Sequence, residues 1–282
     1  MIKRGIHMKF KKRIKIALPY IILSLIGIMF FIPLLWMIFA SFDKNATLSI
    51  EWPNDFTFDH WTQIFTDPDI LRAFVIGVFL SLGSSIVIVI VSALAAYPLS
   101  RFHIKHKDSI ILSILFLSGL PMTAIMVPVY QMFVFFNLND SLWATLLFMS
   151  AAALPYGIWL MKNFIDSVPV SLEESAWIDG ASMLVGLRKV VVPLMKPGIF
   201  TVLIFTFTGS WGNFFVPFIL IQSVEKLPAS VTIFQFFGQH GMVFYGQLAA
   251  FSFVYTIPVV ILYFIGQKYM SQGFGLSGAT KG

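Results

Sequence analysis

Residues 73–99 read AFVIGVFLSLGSSIVIVIVSALAAYPL and contain no charged side chain. A helix needs about 20 apolar residues to cross the roughly 30 Å hydrocarbon layer of a bilayer, so this stretch is long enough to span a membrane. Five further runs are also long enough and also lack acidic, basic and histidine side chains. Together the runs cover residues 16–42, 73–99, 109–136, 141–161, 198–222 and 246–267. The sequence therefore predicts an all-α integral membrane protein with six transmembrane helices.

The composition of the whole chain favours the same fold class. Hydrophobic residues make up 58% of the 282 residues and charged residues only 11%, whereas a soluble domain carries roughly 25% charged residues. A soluble fold is excluded, because so few charges cannot cover its surface. The absence of cysteine excludes disulfide scaffolds, thiolate metal sites and a cysteine nucleophile.

The distribution of basic residues predicts the orientation of the chain. Lys and Arg concentrate in the cytoplasmic loops of membrane proteins, and six spans place both termini on one side. Nearly all of the 19 Lys and Arg fall on that side, and the exceptions are Lys44, Arg72 and Lys226. We therefore expect a cytoplasmic N-terminus at 1–15, transmembrane helix 1 at 16–42, an external loop at 43–72, a core with five spans at 73–270, and a cytoplasmic tail at 271–282. The net charge of +6 is then a topology signal, not a sign of nucleic-acid binding.

The longest cytoplasmic connection joins the fourth and fifth spans, at about 164–197, and its middle reads VPVSLEESAWIDGAS over residues 168–182. Ser171 and Glu174 have the spacing of a capping box, which predicts a short helix from Leu172. Gly180 is the predicted left-handed stop of that helix, and a second segment should run from 182 until Pro193. A plain amphipathic helix-turn-helix on the membrane surface is the simpler interpretation. It does not explain a rigid elbow among otherwise short inner loops.

This loop resembles the E-A-A-x3-G-x9-I-x-L-P signature of binding-protein-dependent ABC importer permeases. Glu174-Ser175-Ala176, Gly180 and Val190-x-Val192-Pro193 stand at the matching positions, with small or apolar replacements. Other segments are similar to the carbohydrate-uptake branch, in particular to the smaller, six-span subunit of maltose-type importers. They are PLLW at 33–36, AAYPLSRF at 95–102, WGNFF at 211–215 and GFGLSGATKG at 273–282. Gly212 is a departure, because most of the family has Trp and Asn adjacent.

The resemblance implies an ABC importer type I permease fold in the cytoplasmic (inner) membrane of a bacterium. The 169–193 loop would be the coupling helix that docks on a separate ATPase, through Glu173, Glu174, Ser175, Ala176, Asp179, Gly180 and Ala181. The implied partners are a second homologous permease, a cytoplasmic ATPase dimer, an extracytoplasmic sugar-binding protein and membrane lipid, with no nucleic acid. The chain itself would hold no cofactor, since ATP and Mg²⁺ bind to the ATPase. The implied cargo is a sugar or oligosaccharide.

The residues themselves agree that energy comes from outside this chain. Ion-coupled carriers bury ionisable side chains within their spans, and the six runs contain none. The chain also lacks the G-x-x-x-x-G-K-[ST] motif that cradles phosphates, so it cannot itself hydrolyse ATP in the P-loop manner. No catalytic or metal-binding residues are predicted. His103 and His106 could bind a metal, but a solvated basic loop is the favoured interpretation. Two alternatives stay open, namely an ABC permease for another solute such as glycerol phosphate, and a self-contained channel or facilitator.

A sugar path needs polar groups and aromatic rings that face a cavity. The predicted residues are Gln131, Tyr130, Trp211 and Asn213. Burial of a primary amide without a partner is costly, which favours Gln131 and Asn213. Thr206 and Thr208 are expected instead to bond the backbone of their own helix.

Overall fold

The computed structural model describes residues 2–238 and 243–279, and the chain divides into two compact units. One unit comprises Met1–Asp67 and Gln235–Val254, and the other Pro68–Phe234 and Tyr255–Gly282. Among the described residues the structure is helical, without strands. The α-helices are α1 (Ile2–Ser41), α2 (Asp59–Thr66), α3 (Pro68–Arg101), α4 (Lys107–Ser118), α5 (Met122–Phe135), α6 (Leu142–Asp166), α7 (Val170–Ile178), α8 (Met183–Gly186), α9 (Val192–Leu194), α10 (Lys196–Trp211), α11 (Phe215–Leu220), α12 (Ala229–Thr232) and α13 (Tyr245–Ala279). A π-helical turn, Leu187–Val191, joins α8 to α9, and 3₁₀ turns lie at Val224–Lys226 and Ile233–Phe236.

In the described part of the chain, four helices are long and apolar enough to cross a membrane; they are Ala17–Ser41, Pro68–Arg101, Leu142–Asp166 and Tyr245–Gln267. Two bent helix pairs raise that number to six if each pair counts as one span. The first pair is α4 with α5, bent by 86°, and the second is Met183–Leu194 with α10, bent by 75°.

Two predicted spans are not single helices. The run 109–136 is broken between α4 and α5, because Pro121 has no N–H to continue the ladder of hydrogen bonds. The run 198–222 is broken after Trp211, where Gly212 is the C-cap residue of α10, and the chain becomes helical again in α11.

In the first unit, aromatic rings fold the segment after α1 back onto the end of that helix. Phe42 stacks on Phe56, with ring centroids 5.3 Å apart, and on Trp61 at 5.6 Å. The backbone joins the same parts, since the Lys44 N–H donates to the Asp55 C=O at 3.0 Å. The segment between the first and second spans is therefore folded.

In the second unit, α3 packs against α6 and α10. The buried Ser84 hydroxyl donates to the Leu146 C=O of α6 at 3.3 Å. Among the described residues of this unit, buried apolar side chains form two clusters. The first is Ile76, Leu80, Met126, Phe133, Leu146, Met149, Val216, Leu220 and Ile221. The second is Ala96, Tyr97, Met161, Ile165, Val168, Val191, Met195 and Val202, and it underlies the elbow described next.

Candidate functional site

The 169–193 segment folds as the predicted elbow, but its first helix begins earlier than the capping box indicated. Pro169 is the N-cap residue, with extended backbone (φ −58°, ψ 128°), and α7 starts at Val170. Ser171 therefore lies inside the first turn, where its C=O accepts a hydrogen bond from the Ser175 hydroxyl at 2.8 Å. The predicted capping box is wrong, because the chain is already helical at the residue that was expected to cap it.

The end of α7 confirms the predicted glycine stop. Gly180 has φ +86°, a left-handed conformation that favours glycine. The Ala181 N–H donates to the Ala176 C=O, and the Gly180 N–H donates to the Trp177 C=O, both at 3.0 Å. These are the two hydrogen bonds of a Schellman motif. The second arm continues past Pro193 to Leu194, because Pro193 lies in the first turn of α9, where proline costs no hydrogen bond.

The outer surface of the elbow combines polar and large apolar side chains. Glu174, Ser175 and Asp179 are exposed, and Ala176 and Ala181 are half-buried. Ile178 is 85% exposed and Leu184 is 70% exposed. We call the exposed large apolar residues of the elbow the apolar elbow surface; they are Val170, Leu172, Trp177, Ile178, Met183, Leu184 and Val185. Such a patch, with acids beside it, is typical of a protein-binding surface.

Glu173 differs from the other predicted elbow residues, because it faces inward. Its side chain is fully buried and its Oε1 accepts a hydrogen bond from Arg101 Nε at 2.5 Å. The Tyr97 hydroxyl donates to Oε2 at 2.9 Å, and Arg101 Nη2 donates to the Val168 C=O at 2.9 Å. Glu173 therefore does not belong to the outer surface on which the sequence placed it. Sequence reasoning missed Tyr97 and Arg101, whose spacing of four residues at the end of a span was an available signal.

The C-terminal ends of α3 and α6 are also bonded to each other, close to the start of the elbow. The Ser100 hydroxyl of α3 donates to Asp166 Oδ1 of α6 at 2.5 Å. Lys162 pairs with the other oxygen of Asp166 at 2.5 Å. The ends of α3 and α6 and the start of α7 are thus connected by one polar network.

A cavity of about 360 Å³ lies in the second unit, away from the elbow. Its lining residues are Met122, Met149, Ala152, Ala153, Tyr156, Phe205, Thr206, Gly209, Ser210 and Asn213. Of the four predicted path residues, Asn213 lines this cavity. Its Oδ1 accepts the Val216 N–H at 3.1 Å, at the start of α11.

The structure does not bring the other three path residues to the cavity lining. Gln131 is exposed, and the Tyr130 hydroxyl accepts a hydrogen bond from Gln222 Nε2 at 3.2 Å. Trp211 is buried, and its ring stacks on those of Phe207 and Tyr255. The Thr206 hydroxyl donates to the Val202 C=O of its own helix at 2.8 Å, as expected from the sequence.

A third polar site fixes the turn before α6 to the segment after α11. The Asp140 carboxylate accepts hydrogen bonds from Lys226 Nζ and from the Ser223 hydroxyl, both at 2.6 Å. It also accepts the N–H groups of Gln222 and Ser223. Burial alone would raise the pKa of Asp140, but these hydrogen bonds outweigh burial and hold the pKa far below its ordinary value. Within the described part of the chain, no group of three His, Asp or Glu could hold a metal ion.

Comparisons with known families, sequences and structures all match this chain to proteins of transport systems. Residues 88–275 match the family described as binding-protein-dependent transport system inner membrane component. The chain is 28% identical to the galactooligosaccharides transport system permease protein GanQ of Bacillus subtilis (strain 168), over 98% of this chain and 99% of that protein. It is 30% identical to the sulfoquinovosyl glycerol transport system permease protein SmoH of Agrobacterium fabrum (strain C58 / ATCC 33970), over 94% of each chain. A crystal structure of a bacterial ABC transporter involved in import of the acidic polysaccharide alginate is similar in fold, with a TM-score of 0.79 and 22% identity over 92% of this chain and 97% of that one.

Proposed function

Because the chain belongs to the family of binding-protein-dependent transport system inner membrane components, we propose that it is the permease subunit of an ATP-driven importer for a sugar or oligosaccharide. The predicted fold class is confirmed by the likeness to the alginate importer. The family is one of transport components, so the chain is not expected to catalyse a reaction of its own.

The observation that carries the proposal is the elbow. The Schellman motif at Gly180 closes its turn, and it presents the apolar elbow surface together with the exposed Glu174 and Asp179. An exposed apolar surface outside the transmembrane helices is typical of a site that binds a soluble partner protein. We propose that this partner is the cytoplasmic ATPase dimer, which binds the ATP and Mg²⁺. A self-contained channel or facilitator would have no use for such a surface.

The orientation and the other partners follow from the same proposal. With the elbow in the cytoplasm, both termini are cytoplasmic and the 43–72 segment is external, as the basic residues predict. Side chains from Ala17 to Leu34 are exposed in the isolated chain, which suits contact with lipid and with a second, homologous permease. The extracytoplasmic partner would be a sugar-binding protein. The last three residues of the predicted cytoplasmic tail, 280–282, lie outside the described residues.

The names of the relatives support a carbohydrate cargo, since both refer to transport of glycosides. The 360 Å³ cavity supports it as well, because the side chains that the structure shows lining it include Tyr156, Ser210 and Asn213 but none with a charge. A glycerol phosphate site would need a cationic side chain. Asn213 is therefore the path residue that we retain, and the second permease would complete the path.

Co-purification tests the proposal. In membranes that contain the whole complex, Ile178→Asp should reduce the amount of ATPase recovered with this chain about tenfold, because it places a charge in the centre of an apolar contact. Ile50→Asp, at an exposed apolar residue of the 43–72 segment, is the matched control and should leave recovery unchanged. Full recovery of the ATPase with Ile178→Asp would refute the assignment of the elbow.

A further inference from the structure

A buried ion pair joins the elbow to a helix that is remote in the sequence. Arg101 and Glu173 are 72 residues apart, and their side chains are 4% and 0% exposed. Burial of two charges is costly, and it is tolerated when the geometry is good and the remaining polar atoms have partners. Here the Nε–Oε1 distance is 2.5 Å.

Further hydrogen bonds hold the Glu173 carboxylate and the Arg101 guanidinium in place. Tyr97 and Arg101 lie one turn apart on α3, and each donates to a different oxygen of the Glu173 carboxylate. Arg101 Nη2 also holds the Val168 C=O, just before α7 begins. The start of α7 is therefore held by one face of α3.

Helix α6 is also bonded to this end of α3. Ser100, next to Arg101, donates to Asp166 at the end of α6. α3 in turn packs along α6 and α10. A displacement of α7 would thus reach the long helices of this unit through α3 as well as through the covalent chain.

We propose that Arg101, Glu173 and Tyr97 form a positioning device that transmits movement of the elbow to α3. This inference rests on the proposed function of the elbow as the ATPase-binding surface. The side chains of the ion pair are buried, so this device acts through the position of the elbow. The three residues act on the number of sugar molecules imported per ATP hydrolysed, and Glu174, one residue along, acts on ATPase binding.

The test uses the whole complex, with both permeases, ATPase and binding protein, in proteoliposomes. Sugar uptake and ATP hydrolysis are measured together. Glu173→Gln should keep hydrolysis but lower the uptake per ATP about tenfold, the size of a typical coupling between sites. Tyr97→Phe keeps both partners of the ion pair, and should also lower the ratio about tenfold through the loss of one hydrogen bond to a charged group. Glu174→Gln should lower hydrolysis and uptake in proportion, so that the ratio stays the same.

A covalent replacement separates transmission from simple stabilisation. The chain has no cysteine, so Arg101→Cys with Glu173→Cys introduces the only two thiols when the other subunits are cysteine-free. A short bifunctional thiosulfonate that joins the thiols should restore the uptake per ATP, and reductant should abolish it again. A purely stabilising role would change uptake and hydrolysis together.

Two outcomes would overturn the inference. One is an unchanged uptake per ATP in both Glu173→Gln and Tyr97→Phe, and Tyr97→Phe alone decides if Glu173→Gln does not assemble. The other is an uptake per ATP in the cross-linked Arg101→Cys, Glu173→Cys variant that stays as low as in the same variant with reduced thiols. Failure of the proposed function is distinguishable, because it would show as undiminished ATPase recovery with Ile178→Asp.

Discussion

Trp211 and Tyr255 bond each other in both directions. The Trp211 indole N–H donates to the Tyr255 C=O at 3.0 Å, and the Tyr255 hydroxyl donates to the Trp211 C=O at 2.6 Å. Their rings stack with centroids 5.0 Å apart. Because Trp211 is the last residue of α10, its carbonyl lacks an intrahelical partner, and Tyr255 of α13 supplies one. The end of α10 is thus fixed where the chain turns at Gly212.

Tyr255→Phe should therefore destabilise the second unit by about 1 kcal/mol, because the Trp211 carbonyl loses a buried donor while the ring stack remains. The melting temperature in detergent micelles measures the effect. Tyr263→Phe is the matched control, since Tyr263 lies on the same helix with 53% of its surface exposed. Equal melting temperatures for the two variants would contradict the reciprocal bonding as a source of stability.

The free energy of unfolding should depend on pH in the acidic range because of Asp140. Its pKa is lowered in the folded state, so its contribution is complete above the ordinary value of 3.8 and is lost as the pH falls below it. Asp140→Asn should cost about 1–2 kcal/mol at pH 7 through the weakened bonds to Lys226 and Ser223. Melting curves of both proteins from pH 7 to pH 3 test this. The difference between their melting temperatures should be constant above about pH 5 and should become smaller below pH 4. A difference that grows as the pH falls would contradict the role of Asp140.

Gly180 should tolerate asparagine better than alanine. Nothing lies within 4 Å of an added Cβ, so the cost of substitution comes from φ +86° and not from crowding. Gly180→Ala should destabilise the end of α7 by about 1 kcal/mol, whereas Asn adopts this conformation more readily. We expect lower ATPase recovery with Gly180→Ala than with Gly180→Asn. The reverse order would show that the left-handed turn does not shape the elbow.

Gly157 allows α6 to approach α3 closely. An added Cβ would lie 2.6 Å from Cγ2 of Ile88, a branched side chain that cannot turn away. Gly157→Ala should cost about 1–3 kcal/mol by overpacking, and Ile88→Ala about 2–5 kcal/mol by leaving a cavity. The double variant should cost less than the sum, because the new methyl group occupies part of that cavity. Additive losses in a thermal unfolding assay would contradict the close approach.

The sequence was sufficient to predict what depends on local chemistry. Long uncharged runs predicted the apolar helices, and Gly180 predicted the end of α7, because its left-handed turn is a property of a few neighbouring residues. The start of α7 lies two residues before the predicted one, because the S-x-x-E spacing favours Ser171 as the N-cap residue whereas Pro169 occupies that position in the structure.

What the sequence could not predict depends on residues far apart. Glu173 and Glu174 are adjacent, and Glu173 is the buried one because it bonds Arg101 and Tyr97, which are 72 and 76 residues away in the sequence. Trp211 and Asn213 were both predicted to face the path. The contact of Trp211 with Tyr255 of α13 places it in the packed interior and leaves Asn213 at the cavity.

The most direct test of the central claim is sugar uptake by the complete complex in proteoliposomes, with and without ATP on the ATPase side. The proposed function predicts uptake against a gradient only when ATP, the ATPase and the binding protein are all present, and loss of uptake with Ile178→Asp. Sugar that equilibrates through this permease chain in the absence of ATP, with Ile178→Asp as active as the unaltered chain, would contradict it.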